Sequence, residues 1–172
     1  MVLIASILGF AAAGCATGGD IAMMATISGG QKIRVPLGRG GAELTSEDDV
    51  QINTARFTLN ADKKIVFVFE FTDSRRRPLR SVRVEDVSDD KPAVLVDAAS
   101  PQLSPAGQWH GESEPLALGD RRLTWLATIS NSLRVYRFTL TFADGQTLVL
   151  HQGSLFPAML KSATRQALGE NY

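Results

Sequence analysis

Cysteine occurs once in this chain, at position 15, and histidine twice, at 110 and 151. A single thiol excludes an internal disulfide framework and any multi-cysteine metal site. Two imidazoles leave little material for zinc or for a base beside a nucleophile, so no metal or other cofactor is expected. An excess of one charge is also missing. Lys plus Arg equals 18 and Asp plus Glu equals 18, so no basic field gathers nucleic acid. The apolar run from Val2 to Ala13 has 12 residues, short of the ~20 that a spanning helix needs. What remains is 44% hydrophobic and 21% charged, the balance of a globular chain rather than a collagen-like, coiled-coil or disordered one. At 172 residues, one domain is expected.

The N-terminus reads as an address. Met1 to Gly14 carries no charge, and its apolar run ends in small side chains directly before Cys15. The length suits a signal-peptide core of about 7–15 residues. The sequence Ala12-Ala13-Gly14-Cys15 resembles the lipobox of bacterial prolipoproteins, a likeness confined to the first 16 or so residues. It implies that Cys15 is acylated and becomes the mature N-terminus. Ala16 at the next position, rather than Asp, implies sorting to the outer membrane, with the domain facing the periplasm. The expected division is a signal peptide over 1–14, a lipidated cysteine and tether over 15–30, and a folded domain over 31–172. Within the tether, the apolar middle of Asp20–Ile27 also suits a strand or a turn of helix.

Beyond Gln31 the dominant hydrophobic period is two, the strand signature. In Ile65-Val66-Phe67-Val68-Phe69-Glu70-Phe71 both faces are nearly apolar, which suits a central strand. Further strands are expected at Val50–Asn60, Leu79–Val87, Ala93–Asp97, Arg121–Asn131, Arg134–Ala143 and Gln146–Gly153, with a weaker one at Gln31–Leu37. Turn residues separate them, and Ala98–Gly119 reads as a long loop. About eight strands with turn chemistry between them predict an all-β fold, an antiparallel β-sandwich of immunoglobulin-like or transthyretin-like form. A short C-terminal helix is expected after it. Pro157 suits its first turn, Phe156, Leu160, Ala163, Ala167 and Leu168 form one stripe, and Gly169 stops it.

The Asp144-Gly145 pair allows two hairpin registers. A two-residue loop sets Leu140 opposite Val149. A three-residue loop with a left-handed Gly145 sets Leu140 opposite Leu148 and Phe138 opposite Leu150. A one-residue slip exchanges faces, so burial of the large apolar residues selects the second.

Candidate chemistry is sparse. Gly38-Arg39-Gly40-Gly41 has the composition of a phosphate cradle but lacks the Lys and Ser/Thr that follow in a P-loop. Glu47-Asp48-Asp49 and Glu85-Asp86 with Asp89-Asp90 lack the spacing of a calcium loop and read as solvated turns. His151 continues a strand face. Gln108-Trp109-His110-Gly111-Glu112 places an aromatic ring, an imidazole and a carboxylate in the long loop. That set could form a sugar platform or a small catalytic site, or Trp109 could pack over the sandwich edge with its neighbours solvated. Arg75, Arg76, Arg77 and Arg80 precede one strand whose far end carries Glu85, Asp86, Asp89 and Asp90, predicting opposite charges at the two ends. Guanidinium groups there suit carboxylates or phosphates, including headgroups.

The expected function is a non-catalytic, lipid-anchored, periplasm-facing module that binds or scaffolds another envelope component. Its expected partners are the membrane, through the anchor, and an envelope protein. A carbohydrate-binding or hydrolytic accessory using Trp109, His110 and Glu112 is the alternative from another class, and a carrier of an apolar ligand between the sheets is a third.

Overall fold

The computed structural model describes residues 22–36, 45–117, 120 and 132–156. The expected signal peptide, Cys15, the strand over Arg121–Asn131 and the helix from Pro157 onward lie outside these residues. Among these residues ten strands follow in chain order: β1 (Ala22–Thr26), β2 (Lys32–Pro36), β3 (Ser46–Glu47), β4 (Val50–Leu59), β5 (Ile65–Asp73), β6 (Leu79–Asp86), β7 (Ala93–Ala99), β8 (Gln108–Glu112), β9 (Ser132–Phe142) and β10 (Thr147–Phe156). Two four-stranded sheets, ordered β10-β9-β6-β7 and β3-β4-β5-β8, form an antiparallel β-sandwich, and β1 and β2 pair as a separate hairpin.

The period-two pattern explains how the sheets meet. On β5, Ile65, Phe67, Phe69 and Phe71 point inward, and on β9, Tyr136, Phe138, Leu140 and Phe142 meet them; all eight are buried. Phe69 lies edge-on to Tyr136 at 5.2 Å and to Phe138 at 5.6 Å between ring centroids. Each large buried side chain contributes about 1.5–3 kcal/mol, so this aromatic seam holds the layers together.

The β9–β10 hairpin takes the register that burial favours. Leu148 stands opposite Leu140 and Leu150 opposite Phe138. Gly145 has φ 88°, and Phe142 N–H donates to Gln146 O at 2.9 Å, closing a three-residue loop. At its other end β10 continues to Phe156, opposite Ser132, so Phe156 belongs to a strand and not to a helical stripe.

Three elements differ from the expectation. Gln108–Glu112, read as loop, is strand β8, paired to β5 from Val68↔Glu112 to Thr72↔Gln108. Ala22–Thr26, within the stretch read as tether, is strand β1, paired to β2. Ser46–Glu47 forms the short β3, joined to β4 by an Asp48-Asp49 turn in which both residues have positive φ. Two successive positive φ values match the twist of a two-residue hairpin, and aspartate tolerates them.

Two irregularities shape the rest. The β6–β7 ladder shifts between Val84 and Glu85, leaving Leu95 as a bulge on the edge strand β7. Val87 and Val135, whose neighbours Asp86 and Tyr136 face inward, form a second apolar cluster with Ala25, Ile27 and Val35. The β1–β2 hairpin therefore covers part of the outer face of the first sheet, and β2 also touches β10.

Candidate functional site

Strands β7 and β8 are the edges of the two sheets on one side of the sandwich. Between them lies an open groove of about 450 Å³, lined by Val94–Ala98 on one wall and by Trp109–Glu112 and Glu114 on the other. Ser113 N–H donates to Phe67 O, and Asp73 N–H to Gly107 O, both at 2.9 Å. Antiparallel alternation then points the backbone groups of Trp109 and Gly111 at β5 and those of Gln108, His110 and Glu112 outward. Those of Gln108 are occupied: Ser104 N–H donates to its carbonyl at 2.8 Å, and its own N–H donates to Ser104 Oγ at 3.1 Å. Among the described residues, no backbone group pairs with the outward N–H and C=O of His110 and Glu112. They stand about 7 Å apart, the repeat of a strand ladder.

Trp109 is the floor of this groove, not an exposed platform. It is 4% exposed and stacked on Phe71 with 5.2 Å between centroids. Its ring lies against Gly111, where a Cβ would overlap the indole. Of the two readings of Trp109, packing over the sandwich edge is the one the structure shows: the ring lies between Phe71 and Gly111 and presents no open face.

His110 lies on the outer face of the sheet between two carboxylates. Its Nδ1 is 3.1 Å from Glu70 Oε1 and its Nε2 is 3.1 Å from Glu112 Oε1. A neutral imidazole carries one N–H, so both contacts are hydrogen bonds only in the imidazolium. The hydrogen bond to Glu70 raises the His110 pKa above its ordinary 6.5, with Glu112 adding to it against some desolvation. Glu70 is held below its ordinary 4.5, first by the Thr54 hydroxyl donating to it at 2.8 Å and then by His110. An imidazolium with both protons engaged has no lone pair to act as a base. The cluster fastens β8 to β5.

The arginines are distributed differently from the expectation. Asp73, fully buried, accepts the backbone N–H of Arg75 at 3.1 Å and of Arg77 at 2.9 Å, shaping the β5–β6 turn. Arg77 Nε donates to the same carboxylate at 3.1 Å and Nη1 to Asp48 at 2.6 Å, while its guanidinium lies 4.0 Å above the Phe142 ring. Arg75 pairs with Asp48 and Asp49. At the other end, buried Arg134 bridges Asp86 at 2.7 Å and Asp89 at 2.8 Å, and Arg137 pairs with Glu85 at 2.6 Å. Each end carries both signs, so the predicted separation of signs is corrected. Arg76 and Arg80 have no carboxylate partner among the described residues.

Sequence reasoning missed Glu70, Thr54, Asp73 and Asp48, because each acts on a residue 16 or more positions away or across a turn. His151, read as a strand-face residue, is one: it stands opposite Arg137, half-buried, and burial with that arginine lowers its pKa. No family model, curated protein or solved structure matches this chain. Function is therefore argued from the groove itself.

Proposed function

We infer that this protein is a non-catalytic, lipid-anchored module facing the periplasm, which holds an extended segment of another envelope protein in the β7–β8 groove. The observation that carries this reading is the pair of outward N–H and C=O groups at His110 and Glu112, beside an apolar floor. Main-chain pairing to a sheet edge supplies affinity in strand addition, and pockets along the edge supply selectivity. The anchor rests on the lipobox-like Ala12-Ala13-Gly14-Cys15. Two acyl chains hold a protein stably where one does not. A carrier role is less well supported, because aromatic side chains fill the space between the sheets.

Photo-crosslinking in intact cells tests the groove. A benzophenone amino acid at Asp97 is expected to capture a discrete envelope protein, and the same group at Val149, on the same face but at the opposite edge of the sheet, to capture none. Glu112→Pro removes one outward N–H and leaves the β5 ladder intact, so it should abolish the adduct while lowering the melting temperature only by the small amount that loss of the His110–Glu112 contact costs. An adduct that survives Glu112→Pro refutes strand addition. Fractionation of Cys15→Ser tests the anchor independently: the substituted protein should leave the membrane fraction.

A further inference from the structure

We propose that the solvent face of the β1–β2 hairpin docks on an anionic phospholipid surface. This inference goes beyond the groove reading and does not depend on it.

The hairpin presents an unusual combination of side chains. Residues 22–36 include two cations, Lys32 and Arg34, and no acid. Antiparallel pairing sets Met24 beside Arg34 and Thr26 beside Lys32, so one methionine and both cations share a face. The opposite face is spoken for: Ala25, Ile27 and Val35 are buried against Val87 and Val135. Met24 is 64% exposed and Met23 41%, two of the three large apolar side chains exposed among the described residues. Lys32 and Arg34 have no carboxylate partner there. At the end of β6 and in the turn after it, Asp86 and Asp89 are engaged by Arg134.

An anionic bilayer fits this chemistry. Headgroup phosphates accept from lysine and arginine, and flexible thioether side chains enter the interface without a shaped pocket. A folded partner would need a complementary relief, and a two-stranded ribbon of alternating Met, Thr, Lys and Arg offers none. Chain length agrees. Cys15 and Ala22 are seven residues apart, a reach of at most about 25 Å. An acylated Cys15 would keep the hairpin within one protein diameter of the membrane. The placement also suits the groove, since β2 touches β10, at the opposite edge of its sheet from β7.

Methionine footprinting on the full chain tests this. The protein is mixed with vesicles of phosphatidylglycerol and phosphatidylcholine, or of phosphatidylcholine alone, and treated with dilute peroxide. Oxidation of Met24 should be several-fold slower on the anionic vesicles, that of Met23, on the opposite face, should change little, and 0.5 M salt should abolish the difference. Lys32→Gln with Arg34→Gln should weaken lipid affinity roughly 25-fold, at about fivefold per cation. Arg76→Gln with Arg80→Gln should leave it unchanged. Equal oxidation of Met24 on both vesicle types overturns the proposal, as does protection that follows Arg76 and Arg80 instead. If the chain floats with neutral vesicles yet shows no added protection on anionic ones, the anchor stands and the hairpin proposal falls. If only the anionic vesicles bind and protect, the hairpin proposal stands and the anchor falls. Binding to neither vesicle overturns both.

Discussion

Along the edge formed by β10, a single buried carboxamide stitches the layers together. Gln152, 1% exposed, accepts the Thr45 N–H at 2.9 Å and donates to Pro36 O at 3.0 Å, while the Thr45 hydroxyl donates to His151 O at 2.6 Å. Along the other edge no such crossing exists among the described residues, and the β7–β8 groove remains. The contrast shows how a sandwich can be sealed on one side with one satisfied polar residue while leaving strand edges available on the other. A buried polar group without a partner is costly, so the sealed edge gains specificity from the satisfied Gln152. The open edge depends instead on shape, with Trp109 drawn inward over Gly111.

The severest way to break this arrangement is at the open edge. Gly111→Ala forces a Cβ into the Trp109 ring and should cost about 3 kcal/mol, read as a lower urea midpoint with red-shifted tryptophan emission. Next comes the sealed edge. Gln152→Leu leaves Thr45 N–H and Pro36 C=O without partners and should cost about 2 kcal/mol, with faster amide exchange at Thr45. The smallest effect sharpens the comparison through pH. The raised pKa of His110 makes its contribution complete below 6.5 and lost as pH climbs through the raised value. The depressed pKa of Glu70 makes its contribution complete above 4.5 and lost as pH falls through the lowered value. The clamp on β8 is therefore strongest between 4.5 and 6.5. Because all three side chains are well exposed, it should add less than about 1 kcal/mol. Urea titrations across pH on the native chain and on Glu70→Gln should show that increment vanish in the variant. A native chain with no such pH dependence would dismiss the clamp.

Much of the sandwich is legible in the sequence because burial acts on alternate residues. Ile65–Phe71 announces a central strand, and Asp144-Gly145 with its apolar flanks announces both a hairpin and its register. The groove is not legible for a specific reason. Trp109 faces inward, and the next inward position, Gly111, has no side chain because the tryptophan ring occupies that space. The alternation is present in the fold and erased from the sequence. The arginines mislead in a similar way: Arg77 meets Asp48, 29 positions earlier, through a turn whose geometry no local pattern specifies. A strand face can be read from periodicity, whereas an ion pair that crosses between hairpins cannot.

The bulge at Leu95 has a consequence for the lipid-anchored role proposed above. Proteins tethered to a membrane are concentrated in two dimensions, where open strand edges invite copies to join end over end into fibres. By bending β7, the bulge spoils that edge as a template. An incoming strand can pair with His110 and Glu112 on β8 but finds no regular ladder on its far side. In the strand-addition reading proposed above, the groove would accept one guest strand and growth would stop there.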